Sequence, residues 1–183
     1  LNSLWTVDTR LFGDAPQPLG IDGVLFADWL PNGREVIYST AERTAGAPGW
    51  KAHNNLLVRD IETRARRELL PSSSIAPYAF WGTNFVLSAD GRRLAYAIAD
   101  EIGYVELQNG AQTPLQNFPT FQTQAAWVWL PDVAWSPDGR FIAVTMHAPP
   151  PGTSNPEAAQ TFDLWVVNVN GSVAAPLVKV TDP

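Results

Sequence analysis

The chain has 183 residues, 45% hydrophobic and only 16% charged, a balance that suits a packed domain and argues against disorder. Twelve basic residues against 18 acidic ones leave a formal net charge of −6, which argues against nucleic-acid recognition, since phosphate binding needs clustered Lys and Arg. There is no cysteine, so disulfides and thiolate metal sites are excluded.

Taken in order, the elements repeat. The chain begins Leu1-Asn2-Ser3, with neither an initiator Met nor a signal-peptide pattern, as expected of a mature or excised piece of a longer protein. Leu4–Asp8 predicts a half-buried strand by its period-two alternation. Ala27–Tyr38 reads strand, turn, strand, with Asn32-Gly33 at the turn. Leu56–Asp60 repeats the first pattern, and Val86–Tyr96 repeats the second around Asp90-Gly91. Tyr104–Leu107 follows, then the turn Asn109-Gly110. Val133–Val144 is the third strand-turn-strand, around Asp138-Gly139, and Leu164–Asn168 leads into Asn170-Gly171. Asn-Gly and Asp-Gly accept the positive φ of tight hairpin turns, and an Arg follows each inner turn, at Arg34, Arg92 and Arg140. The only helix signal is a single turn at Asn155–Ala159. The basic run Arg64–Arg67 reads as a solvated strand face. No apolar stretch approaches the ~18 residues of a membrane span.

Inner and outer hairpins together predict a four-stranded antiparallel unit. Its inner turn glycines lie 58 and 48 residues apart (Gly33, Gly91, Gly139), near the ~40–50-residue period of propeller blades. The segment Trp135-Ser136-Pro137-Asp138-Gly139-Arg140-Phe141-Ile142-Ala143 resembles the signature of the TolB-like, WD-repeat-like β-propeller repeat. The other copies carry Asn32 for Asp, and Leu30-Pro31 or Ser88-Ala89 for Ser-Pro. The resemblance implies an all-β fold of four-stranded blades. In that family such blades occur in periplasmic and secreted binding proteins, and as the non-catalytic domain of prolyl-oligopeptidase-like serine peptidases. The expected layout is an outer hairpin of a split blade over residues 1–20, then blades over 21–71, 72–117 and 118–183. About three and a half blades make a partial propeller, because rings usually close with about four to eight. A fragment, or a ring completed by a second copy, is expected; a four-bladed ring with irregular closure is the alternative.

The links Ala41–Asn54, Pro71–Phe80, Gln116–Val128 and His147–Phe162 are long and fall on one expected face. Long loops on a rigid scaffold are where binding resides. That face carries Trp50, His53, Tyr78, Phe118, Phe121, Trp127 and His147, with Trp81 at its edge. These rings suit gripping a peptide or stacking on a sugar; they equally suit pinning the loops onto the sheet. His53 and His147 stand 94 residues apart, and nothing in the spacing demands a carboxylate partner such as Glu42 or Glu157. No G-x-S-x-G, H-E-x-x-H or phosphate-binding Gly loop is present. Asp28 and Asp132 follow no calcium-loop pattern, so no metal or cofactor is expected.

The sequence thus predicts a non-catalytic scaffold that binds a protein or peptide, or a second copy of itself. No nucleic acid and no membrane span are expected. The resemblance implies a periplasmic or secreted setting. The alternatives are the accessory propeller of a serine peptidase, whose catalytic domain would lie outside this chain, and a carbohydrate-binding module suggested by Trp50, Trp81 and Trp127.

Overall fold

The computed structural model describes residues 2–10, 13–46, 49–72, 82–98, 100–118, 131–147, 161–171 and 175–181; for 147, 161 and 175–181 only the backbone is described. Every regular element among them is a strand. The single helical turn expected at Asn155–Ala159 lies outside the described residues. The chain divides into two compact units, Leu1–Gly82 and Thr83–Pro183.

The second unit holds two four-stranded antiparallel meanders. The first runs β7 (Asn84–Leu87), β8 (Arg93–Ala97), β9 (Glu101–Glu106), β10 (Gln112–Asn117). The second runs β11 (Val133–Trp135), β12 (Phe141–His147), β13 (Thr161–Asn168), β14 (Ala175–Thr181). Each is the inner-hairpin, outer-hairpin unit that the repeat implies. One apolar cluster spans both sheets: Ala95, Ala97 and Ile102 from the first, Val133, Ile142, Val144, Met146, Val167 and Val169 from the second. Fully burying side chains of this size stabilises by about 1.5–3 kcal/mol each. Polar stitches fix the two sheets in place. The Trp135 indole N–H donates to the Val86 carbonyl at 2.9 Å, and the Asn84 amide to the Pro131 carbonyl at 3.1 Å.

The first unit contains β1 (Asn2–Thr6), β2 (Gln17–Trp29), β3 (Glu35–Arg43), β4 (Trp50–Ala52), β5 (Leu56–Asp60) and β6 (Arg66–Leu70), in the order β1-β2-β3-β5-β6 with β4 on β3. Strand β2 is long because it serves two hairpins. Its first half pairs with β1, Trp5 opposite Pro18, and its second half with β3, Trp29 opposite Val36. Gly20 and Gly23, both at positive φ, lie within the half that pairs with β1, and a register break between Val24 and Phe26 marks the change to β3. The boundary drawn at residue 20 therefore falls inside β2. Leu19 and Ile21 of its first half pack on Tyr38 and Leu57, with Leu4 and Ile61 alongside. The β1–β2 hairpin thus lies over one face of β3 and β5. Ile37, Leu56 and Val58 point to the opposite face, where each is at most 1% exposed.

The inner turns repeat atom by atom. Gly33, Gly91 and Gly139 have φ of +66°, +66° and +69°. Each donates its N–H to the carbonyl three residues back, at Leu30, Ser88 and Ser136. The Arg after each glycine accepts a backbone bond from the outer hairpin: Ile61 to Arg34, Leu107 to Arg92, Val169 to Arg140. In the later copies a Ser-x-Asp pair serves the turn. The Ser136 hydroxyl donates to Asp138 at 2.7 Å and accepts from the Phe141 N–H at 2.9 Å, and the Asp138 carboxylate accepts the Arg140 N–H at 3.1 Å. Ser88 and Asp90 do the same. Where Leu30 replaces Ser, Asn32 does both jobs, its Oδ1 accepting from Arg34 and Glu35. An orphan N–H in a turn must find an acceptor, so the substitutions between copies are coupled by hydrogen bonding.

Candidate functional site

Period-two alternation places Tyr38 and Thr40 of β3, Leu57 and Arg59 of β5, and Arg66 and Glu68 of β6 on one face, the face covered by the β1–β2 hairpin. Between hairpin and face lies a cavity of about 420 Å³, to which Asp22, Tyr38, His53, Asn55, Arg59 and Arg66 contribute. The size is that of a small-ligand pocket. A second cavity of about 460 Å³ adjoins the same hairpin, lined by Ser3, Asp22, Gly23, Ala41 and Arg43.

One wall of the first cavity is a polar network. The buried Asn55 carboxamide accepts the Thr40 backbone N–H at 2.9 Å and donates to the Thr40 hydroxyl at 3.0 Å. His53 Nδ1 sits 2.9 Å from that hydroxyl, and its Nε2 lies 3.9 Å from Glu42. The hydrogen bond to Thr40 orients the imidazole. The other wall carries Arg59 and Arg66 with Glu68 on the same face. Arg59 and Arg66 are directly opposite each other. Burial pushes the Tyr38 phenol above its ordinary pKa, and Arg66 and Arg59 pull it partly back.

The residues expected to form the long-loop site separate into three groups. Trp50 and His53 belong to the first unit. The segment Ala41–Asn54, expected as a loop, is in part a β-ribbon: Arg43 pairs with Trp50 and Ala41 with Ala52, and the turn is closed by Thr44 N–H to the Gly49 carbonyl. Trp50 is half-buried in that ribbon, and His53 enters the cavity. Phe118 belongs to the second unit, where its ring meets Trp165 edge-on at 5.2 Å and 81° and its N–H donates to the Asp100 carbonyl. His147 ends β12 opposite Phe162, with its side chain outside the described set. Tyr78, Trp81, Phe121 and Trp127 lie outside the described residues. Asp28 and Asp132 both turn to neighbouring backbone, accepting from Trp29 and Val133.

Sequence reasoning missed Arg59, Arg66, Tyr38 and Asn55. The available signal was Arg59, a charge closing the apolar run Leu56–Val58 on a strand whose neighbours are buried.

The repeat also exposes an inequality between copies. Trp29 and Trp135 occupy the same place, four residues before the turn glycine. The Trp135 indole is half-buried and bonded to the preceding inner strand. Trp29 is 46% exposed, and its indole N–H has no hydrogen-bond partner among the described residues. Leu25, in the β2 bulge, is also exposed, as are Trp5 of β1 and Val7 just beyond it.

No family profile matches the sequence, and no curated protein matches it. Solved structures do. A protein of Agrobacterium tumefaciens assigned as TolB is similar with a TM-score of 0.53 at 17% identity, over 91% of this chain and 52% of that one. The oligogalacturonate lyase of Vibrio parahaemolyticus gives 0.61 at 13% identity, over 99% and 47%. The β-propeller domain of the trilobed protease from Pyrococcus furiosus gives 0.50 at 12%, over 87% and 43%. The chain therefore spans about half or less of the structures it resembles. No helix among the described residues is long and apolar enough to cross a membrane. With its four-stranded antiparallel sheets, repeated inner turns and these likenesses, the chain is an all-β protein built as a partial β-propeller.

Proposed function

We propose that the chain is a non-catalytic β-propeller scaffold of the TolB-like kind, working by protein contact through the β1–β2 edge of its first unit. The observation that supports this reading is Trp29. Its counterpart Trp135 donates its indole N–H to the inner strand of a neighbouring blade, whereas Trp29 presents the same donor and ring to solvent. Large aromatic groups at a sheet face, each with one polar atom to satisfy, are the usual anchors of protein interfaces. The partner is a surface that offers a strand carbonyl and an apolar slot, as another blade does, and a second copy of this chain is the simplest source. A periplasmic or secreted setting goes with this reading.

Light scattering of the 183-residue chain tests it. The expected result is a mass above the 20.0 kDa monomer that rises with concentration and falls to the monomer in Trp29→Ser. A wild-type chain that stays monomeric at every concentration overturns the self-association. The likeness to the trilobed protease propeller supports a second reading, the accessory propeller of a peptidase. A G-x-S-x-G segment in the parent gene beyond Pro183 is its test; a parent with none overturns it.

A further inference from the structure

Arg59 and Arg66 face each other across β5 and β6 and both line the 420 Å³ cavity. Like charges directly opposite in an antiparallel pair are destabilising. Elsewhere in this unit some arginines pair with carboxylates, Arg34 with Asp60 at 2.6 Å and Arg67 with Glu35 at 3.7 Å. Arg59 and Arg66 make no ion pair among the described residues, although Glu68 shares their face. Arg59 Nε is buried and has no hydrogen-bond partner among the described residues. Buried donors left unpaired are rare in native proteins, and the side chain that carries this one borders the cavity.

The rest of the lining narrows the acceptor. Asp22 and Glu68 also border the cavity, so its formal charges cancel, two positive against two negative. Asp22 and Glu68 repel every anion in proportion to its charge, so a monoanion is disfavoured less than a phosphate dianion or a polyanion. A planar carboxylate matches the guanidinium fork with two parallel bonds. Tyr38 borders the same space, and its phenol O–H can donate a further hydrogen bond. We propose that this cavity binds a carboxylate group, held by the Arg59 and Arg66 guanidinium groups beside the Tyr38 hydroxyl. The site stands on these residues alone and does not depend on the partner edge at Trp29.

The test is a titration of the ¹⁵N-labelled 183-residue chain with sodium acetate, followed at the Arg Nε–H resonances, with sodium chloride at equal ionic strength as reference. A saturable shift of the Arg59 resonance with acetate and not with chloride is expected. Binding should weaken at least tenfold in Arg66→Gln, on the exposed strand β6, and in Arg59→Lys, which keeps the charge and loses the fork. It should be unchanged in Arg67→Gln, whose guanidinium pairs on the other face. Two peptides, identical except for a free or an amidated C-terminus, distinguish the sources of the carboxylate. Tighter binding of the free-acid peptide than of acetate assigns the site to chain termini, and equal binding assigns it to small acids. No saturable shift with acetate or with the free-acid peptide overturns the proposal, as does an equal shift with chloride or equal weakening in Arg67→Gln.

Discussion

At the scale of single residues, the inner turns carry the chemistry of the repeat. Gly139 sits at φ +69° with open space around its Cα, so backbone strain rather than crowding decides what is tolerated there. Gly139→Val should cost about 1–3 kcal/mol, seen as a lowered melting temperature; unchanged melting would refute the turn. The reverse holds at Arg64, whose φ is +62° at the outer-hairpin turn where the next blade has Gly110 at +75°. Both donate to the carbonyl four residues back. A non-glycine residue pays for this conformation, so Arg64→Gly should stabilise by up to about 1 kcal/mol in a denaturant titration. Asp138 adds a pH dependence. The Ser136 hydroxyl first, then the Arg140 N–H and side chain, hold its pKa at about 2 against an ordinary 3.8. A carboxylate depressed on folding stabilises above its unfolded pKa, and the contribution is lost as pH falls through the folded value. Between about pH 4 and 2 the wild type should therefore lose more melting temperature than Asp138→Asn; parallel curves would contradict the assignment. The three inner turns were legible because Asn-Gly and Asp-Gly announce positive φ. Arg64 was not, since nothing in an arginine signals a left-handed backbone.

Among the elements, tight cross-strand pairs set what each sheet accepts. Gly103 lies opposite Tyr96 in the β8–β9 pair, and a Cβ there would collide with the Tyr96 ring and the Thr113 carbonyl. The ring is 2% exposed and its hydroxyl donates to Glu101 at 2.6 Å, so it has little freedom to move aside. Gly103→Ala should destabilise by about 1–3 kcal/mol, measured by thermal unfolding, and a neutral substitution would mean that the ring is not packed there. The alternating runs at Leu56, Tyr104 and Leu164 made the outer strands β5, β9 and β13 readable. Strand β2 was harder, because Pro18, Gly20 and Gly23 look like breaks, yet the strand continues through them by changing partners. The β3–β4 ribbon was also hidden, since Trp50-Lys51-Ala52 is too short to show a period. It is held by pairing with the far end of β3, a tertiary fact.

For the whole molecule, the repeat made the architecture legible, and the candidate site only in fragments. His53 was singled out for its chemistry and does enter a cavity, but through a long link that is half ribbon. Arg66 was read with Arg64–Arg67 as a solvated strand face and is exposed, while Arg59 drew no reading, because strand alternation alone does not say which face another hairpin will cover. That knowledge comes from β2 folding Leu19 and Ile21 over Tyr38 and Leu57. The exposed tryptophan edge likewise became visible only when the environments of Trp29 and Trp135 could be compared. The proposed docking of a partner blade at that edge is best checked by the solution mass of the 183-residue chain across concentrations, beside that of Trp29→Ser. Assembly is expected in the wild type and monomer in the variant; a wild-type chain that remains a monomer throughout would overturn the proposal.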